Sequence, residues 1–109
     1  MNTFYSVLGN TIYLDIEVVN HSGAYLDLTG SDLSFFATST DGSVIISKIE
    51  GDGVSVTDDE GLVTVKLDAE DTSNLTRPTN LYWDLVMINP LDEVYTVARG
   101  RLALSLPVI

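Results

Sequence analysis

Hydrophobic and polar side chains alternate along most of this chain, a pattern typical of β-strands with one buried and one exposed face. Five segments show it clearly, and in each a row of hydrophobic residues occupies every second position. No segment predicts a helix of ten or more residues. The predicted inward rows are Ile12, Leu14, Ile16 and Val18; Leu33, Phe35 and Ala37; Val63, Val65 and Leu67; Trp83, Leu85 and Met87; and Leu102, Leu104 and Leu106.

Turn-forming residues divide the strands at spacings of roughly 8 to 12 residues. Asp41-Gly42 is a pair that tight hairpins favour, and Asn89-Pro90 begins a later turn. Short strands are also predicted at 44–49 and 54–57, on either side of a break at Gly51-Asp52-Gly53. A short extended piece that closes in a turn is predicted between the first two inward rows.

Residues 68–75 change character and predict a single helical turn. Asp68 suits the N-cap, and Glu70 and Asp71 suit the positive end of the turn that follows. Pro78 stops the turn because proline cannot continue a helix.

The last strand pair is predicted at 94–98 and, past Gly100, at 102–106. The chain then holds about seven or eight short strands, which predicts an all-β fold, an immunoglobulin-like antiparallel β-sandwich. Both immunoglobulin cysteines are absent, so the likeness concerns architecture, with Trp83 as a candidate core aromatic. With no linker or repeat, residues 1–109 are predicted to form a single domain.

The charge balance narrows the choice of partners. Sixteen acidic and five basic residues give a formal net charge of −11. Phosphate backbones would be repelled, so nucleic acid is not expected as a partner. The same charge predicts that free copies stay soluble and apart before assembly, or are steered to a basic surface.

The chain has no cysteine, which excludes disulfides, thiolate metal sites and cysteine nucleophiles. Residues 1–10 lack the basic start and apolar run of a secretory signal, and no stretch approaches the 18 apolar residues of a membrane span. Synthesis in the cytoplasm and no membrane contact are expected.

Catalytic motifs are scarce. His21 beside Ser22 could serve a hydrolase only with an acid and an oxyanion hole nearby, and a solvated turn is the stronger interpretation. Gly51-Asp52-Gly53 lacks the strand-to-helix context of a phosphate loop, so its glycines are expected to permit a bend. We expect no enzymatic activity and no cofactor.

Two groups of carboxylates are candidate metal-binding or catalytic sites. Asp52 and the acidic run 58–60 could gather around calcium, but they do not match the alternating calcium loop, so a solvated hairpin is preferred. Asp15, Glu17 and Asp84 would need a cleft to act as a glycosidase pair, and they are interpreted as outward strand residues that discourage edge pairing.

Surface aromatic residues are the other candidate sites, because sugar-binding and protein-binding patches use them. For Phe36, packing and an interface are weighed equally. The residues expected to point away from the inward rows are Tyr13, Tyr25, Phe36, Tyr82 and Tyr95.

Three segments, in order, resemble a family of small phage-related domains that includes the N-terminal immunoglobulin-like domain of siphophage upper baseplate proteins. They are 23–30 (G-A-Y-L-D-L-T-G), 61–75 (G-L-V-T-V-K-L-D-A-E-D-T-S-N-L) and 82–106, which opens Y-W-D-L and contains G-R-L-A-L-S-L. The resemblance covers residues 11–108. The chain departs from the family at Tyr25, where proline is usual, and at 89–92, where N-P-L-D replaces a simpler hairpin.

The resemblance implies a non-catalytic, multi-copy or homo-oligomeric virion component, made in the host cytoplasm, whose partners are other virion proteins of the capsid, tail or baseplate. With no fibre or coiled coil after Ile109, we expect a stand-alone module that decorates or cements its neighbours. The alternative is a module displayed on the virion that binds a host glycan or receptor, which would need exposed aromatics at one loop end.

The apolar ends are the remaining interface candidates. Residues 1–8 and 106–109 could dock on a neighbour or add a strand to its sheet, or they could form edge strands of their own sandwich. The interface candidates as a set are Phe4, Tyr5, Val7, Tyr25, Phe36, Val108 and Ile109.

Overall fold

The computed structural model describes residues 2–19, 22–26, 28, 30–57, 61–73, 75 and 77–106. These residues form eight strands and one short helical turn. The elements are β1 (Asn2–Val7), β2 (Ile12–Glu17), β3 (Asp32–Thr38), β4 (Val44–Glu50), β5 (Gly53–Thr57), β6 (Leu62–Leu67), α1 (Ala69–Thr72), β7 (Thr79–Ile88) and β8 (Val94–Ser105).

The strands follow one another in the order β1-β8-β7-β3-β4-β5-β6-β2. Strands β4 and β5 pair through only two residue pairs, so the sheet folds over at this point into two layers. We call β1, β8, β7, β3 and β4 the large sheet, and β5, β6 and β2 the small sheet. This division of strands is that of an immunoglobulin-like β-sandwich, as the sequence predicted.

One hydrophobic core fills the space between the layers, and the predicted inward rows line it. Trp83 is 1% exposed, and its ring lies 5.8 Å from Phe4 and 5.9 Å from Phe35. Its indole Nε1 is buried without a hydrogen-bond partner. Leu106 is the exception among the predicted rows, since it is 47% exposed beyond the end of β8.

Two pairings differ from the predicted antiparallel sandwich. Strand β1 runs parallel to β8, and β4 runs parallel to β5. The predicted pair of strands at 94–98 and 102–106 is wrong, because β8 is one strand of 12 residues. The pairing of β8 with β7 shifts register between Leu85 and Val86 of β7, whose partners on β8 are Ala98 and Thr96. A bulge of this kind bends a strand without ending it.

The predicted hairpin at Asp41-Gly42 is confirmed. The Ser39 backbone N–H donates to the Ser43 carbonyl at 2.9 Å, and Gly42 has a φ of 89°, a left-handed conformation that favours glycine. The Asp41 carboxylate accepts hydrogen bonds from the Ser39 hydroxyl and the Ser43 backbone N–H. These bonds, the one from Ser39 first, lower the pKa of Asp41 from 3.8 to about 2.

An ion pair joins Lys48, on the core side of β4, to Asp71 of α1. Lys48 points inward, its side chain is 12% exposed, and its Nζ lies 2.9 Å from Asp71 and 3.7 Å from Asp68. The hydrogen bond to Asp71 raises the pKa of Lys48. Asp68 occupies the predicted N-cap of α1, and its backbone N–H donates to the Asp71 carboxylate at 2.7 Å. Lys48 therefore ties the large sheet to the turn that follows the small sheet.

Candidate protein-binding face

The large sheet has a second side, turned away from the core, which we call the outer face. Strand register and the alternation of burial identify the residues on it. Its large hydrophobic members are Tyr5, Val7, Phe36, Val44, Ile49, Tyr82, Val86, Ile88 and Val94, and its charged members are Asp32, Asp84, Arg99 and Arg101.

Strand β7 explains why this face is apolar. Its segment L-Y-W-D-L-V-M-I places Leu81, Trp83, Leu85 and Met87 in the core and still has large side chains for the other side. A strand that reads as a nearly continuous hydrophobic run is typical of a sheet covered on both faces. On β7 the core covers only one.

Phe36 lies in the middle of the outer face. In register it is flanked by Asp84 on β7 and by Ser47 on β4, and it is half-buried. Asp84, the neighbour of Phe36 on β7, accepts a hydrogen bond from Arg99 Nε at 3.1 Å, so its carboxylate already has a partner. Other hydrophobic side chains of the outer face remain accessible to solvent, and Ile49 is 53% exposed.

Arg101 occupies the same row as Thr3 and Tyr82. Its Nε is buried and has no hydrogen-bond partner. A guanidinium carries five donors in a fixed fork, so the terminal nitrogens of Arg101 can donate to an acceptor on a bound partner while Nε stays buried.

The two outer surfaces of the sandwich differ in charge. The outer face of the large sheet carries two arginines and two aspartates and is therefore neutral, whereas the chain has a net charge of −11. The opposite surface, on the small sheet, presents Tyr13, Asp15, Glu17, Thr64 and Lys66, and the Thr64 hydroxyl donates a hydrogen bond to Asp15. The outer face is thus separate from the surface that carries Asp15 and Glu17.

Two of the cavities that the described residues line bear on this site. One of about 450 Å³ lies beside the outer face, between the β3–β4 hairpin and the Asp84–Arg99 pair. The other, of about 430 Å³, lies between the layers toward the opposite end of β7 and is lined mainly by apolar side chains such as Val18, Leu26 and Tyr95. The Glu93 carboxylate raises the pKa of Tyr95.

The structure separates the predicted interface residues. Tyr5, Val7 and Phe36 share the outer face, with Tyr5 78% exposed. Phe4 points the other way, into the core against Trp83. The apolar start of the chain is accordingly an edge strand of its own sandwich, which was one of the two interpretations.

The remaining interface candidates lie elsewhere. Tyr25 forms an isolated bridge with Val19, away from the outer face, and its hydroxyl donates to Glu17 at 3.5 Å. Val108 and Ile109 lie outside the described residues.

Sequence reasoning did not single out Val44, Ile49, Ile88 or Val94 as surface residues. A signal for Val44 and Ile88 was present, because 44–46 and 85–88 are apolar at successive positions where a half-exposed strand would alternate. The two arginines gave no such signal.

The chemistry-bearing candidates do not assemble among the described residues. No group of three or more His, Asp or Glu side chains suited to a metal occurs within them. Asp52 is exposed, and the other carboxylates considered for calcium, 58–60, fall outside the described ranges, as does His21. Asp15, Glu17 and Asp84 point outward, as predicted. Nor does the described part of the chain contain a helix long and apolar enough to cross a membrane.

Comparison with known proteins adds one structural likeness. No family model matches the sequence, and no curated protein matches it. Among solved structures, the V domain of amphioxus IgVJ-C2 is similar over 93% of this chain and 98% of that chain, at 12% identity and a TM-score of 0.32.

Proposed function

We propose that the protein is a non-enzymatic structural component of a bacteriophage particle, which works by binding a protein neighbour through the outer face of its large sheet. The observation that carries the proposal is the neutral, apolar outer face on a chain of net charge −11. Contiguous apolar surface of this kind marks interaction sites on soluble proteins. The phage assignment rests on the resemblance of segments 23–30, 61–75 and 82–106.

The groups that the carboxylates bind agree with a structural role. Asp71 holds Lys48, Asp84 holds Arg99, and Glu50 accepts the Leu33 backbone N–H at 2.8 Å. Each of these groups fixes part of the fold or of the outer face. A general acid or base would instead need to face a substrate in a cleft.

Particle composition tests the proposal. Phage particles purified from the chain's own host should contain the chain in a fixed number of copies, measured by quantitative mass spectrometry and located by cryo-electron microscopy. Purified particles that lack it would overturn the proposal.

Two variants then test the face. Ile49→Asp and Tyr13→Asp each place one carboxylate at an exposed apolar strand position, on the large and the small sheet respectively. Ile49→Asp should lower incorporation at least tenfold because it puts a charge into an apolar contact, and Tyr13→Asp should leave it unchanged. Equal incorporation of both would exclude the outer face as the binding surface.

A receptor- or glycan-binding module is the second candidate, and the interlayer cavity favours it. Tyr95 lines this cavity of about 430 Å³ beside Val19, the bridge partner of Tyr25, so two exposed aromatics border one end of the sandwich. Glycan-array binding that disappears in both Tyr25→Ala and Tyr95→Ala would support it. An array without binding would remove it.

A further inference from the structure

We infer that the occupant of the outer face is a second copy of this chain, bound by the same face in a two-fold dimer. The inference rests on the proposed function, since it names the neighbour that the face binds. Three properties of the face favour a second copy: the distribution of charge over the molecule, the pairing of opposite charges on the face, and its area.

The first property is where the negative charge lies. With the outer face neutral, the entire net charge of −11 belongs to other surfaces, including the Asp15 and Glu17 side of the small sheet. A basic partner would be attracted to those surfaces and not to this one. An equally acidic partner, such as a second copy, can approach closely only through the neutral face, because the small-sheet charges then lie a layer away. At physiological salt, charges separated by more than about 8 Å are largely screened.

The second property is self-complementarity. In a two-fold interface, each residue of one copy that contacts a residue of the other is repeated with the roles exchanged, so the face must suit itself. A face with charges of one sign would repel its own copy. The outer face instead carries Arg99 and Arg101 together with Asp32 and Asp84, and Phe36 lies at its middle between Asp84 and Ser47. Arg101, whose Nε has no hydrogen-bond partner among the described residues, carries a guanidinium that could bind a carboxylate or carbonyl of the second copy.

The third property is area. Five strands spaced about 4.8 Å apart, with six or seven residues at about 3.3 Å each, give a face of roughly 20 by 22 Å. Allowing for the relief of the side chains, such a face would remove about 600–800 Å² from solvent on each copy. Stable interfaces bury about 1,200–2,000 Å² in total, so the large sheet is wide enough for a dimer.

Sedimentation velocity tests the dimer on the purified full chain. From about 1 µM to about 0.5 mM protein, the mass should rise from that of one chain to that of two, and it should stop there because a two-fold interface is closed. Raising NaCl from about 0.05 to about 0.5 M should strengthen association, since salt screens the repulsion between two acidic molecules. Association that weakens with salt, or a chain that stays monomeric at about 0.5 mM, overturns the inference.

Variants identify the face. Ile49→Asp should raise the dissociation constant at least about 100-fold, and Val44→Asp provides a second position on the same strand in case the first variant does not fold. Tyr13→Asp is the matched control and should change the constant less than about threefold. Loss of the dimer in Tyr13→Asp, or its retention in both face variants, contradicts the assigned surface.

The failure of this inference differs from the failure of the proposed function. A chain that is monomeric in solution, but whose Ile49→Asp variant is still missing from particles, has a different protein neighbour on the outer face. A dimer formed by a chain that purified particles lack would overturn the virion role and leave the dimer standing.

Discussion

The pair formed by Lys48 and Asp71 allows a quantitative test of how the two layers are held together. A double-mutant cycle with Lys48→Met and Asp71→Asn removes each charge while keeping the approximate shape of each side chain. Asp71→Asn leaves a mostly buried ammonium with Asp68, at 3.7 Å and 55% exposed, and the more distant charge of Asp52 to balance it. Lys48→Met leaves Asp71 with the hydrogen bond from the Asp68 backbone and some access to water.

The magnitude follows from distance and exposure. The Nζ–Oδ2 distance is 2.9 Å, and the two side chains are 12% and 23% exposed. Exposed pairs contribute about 0.2–1 kcal/mol, and removing one partner of a fully buried pair costs about 3–5 kcal/mol. We expect a coupling energy between these limits, about 1.5–2.5 kcal/mol, and a larger loss of stability for Asp71→Asn than for Lys48→Met.

Urea unfolding at pH 7 measures each corner of the cycle. Trp83 is the only tryptophan and is buried, so its emission will shift on unfolding. The Arg99–Asp84 pair is the control, because its 3.1 Å distance is similar but its side chains are 68% and 40% exposed. Its coupling should stay below about 1 kcal/mol. A Lys48–Asp71 coupling below about 0.5 kcal/mol would refute the reasoning.

The pH dependence of the same pair has a definite sign. The pKa of Lys48 is raised above 10.5 in the folded state, so its contribution to stability is fully present below pH 10.5. The contribution is lost as the pH rises through the raised value. The stability difference between wild type and Asp71→Asn should therefore shrink as the pH rises through the raised pKa of Lys48.

Three further predictions test other parts of the fold. Trp83→Phe should lower the free energy of unfolding, measured by circular dichroism, by less than about 1 kcal/mol, because removing an indole N–H without an acceptor offsets the lost packing. A loss above about 2 kcal/mol would contradict an unsatisfied N–H at this position. Ser39→Ala should raise the pKa of Asp41 from about 2 toward 3.8 in an NMR titration. A lowered carboxyl pKa gives stability that is lost as the pH falls from 3.8 through 2, so the variant should lose less stability than wild type across that range. An unchanged pKa would exclude the Ser39 hydroxyl as the main cause of the shift. Gly61→Ala should cost about 2–4 kcal/mol in the free energy of unfolding, because its φ is 61° and the new Cβ would lie 2.6 Å from the Val18 carbonyl oxygen; wild-type stability would contradict that contact.

Local pattern was enough to predict strands β2 to β7 and the inward rows, but it divided β8 into two strands. Trp83 and Phe35 are in the core because alternation assigns them to one side, and Asp41-Gly42 turns the chain where a hairpin turn is favoured. Leu106 fails because alternation does not say where a strand ends. For the apolar start of the chain, composition suggested an interface, but only the pairing of β1 with β8 shows that Phe4 points inward and Tyr5 outward.

Long-range partners could not be predicted from the sequence. Lys48 lies in an apolar segment, and nothing near it indicates that Asp71, after two more strands, would receive its charge. The outer face likewise combines side chains of five strands whose order along the sheet differs from their order along the chain. Its hydrophobic members were visible in the sequence, but their assembly into one surface was not.

The parallel ladder between β1 and β8 has a consequence for the time course of folding. Each of its pairs, from Asn2 with Gly100 onward, joins residues 98 positions apart. Closing such a loop costs about 2 kcal/mol more entropy than closing a ten-residue hairpin, by the logarithmic dependence on loop length. During synthesis, β1 leaves the ribosome before β8 and has no ladder partner until β8 has emerged. It should therefore dock late, and pulsed hydrogen exchange during refolding should protect the β7–β8 amides before those of β1.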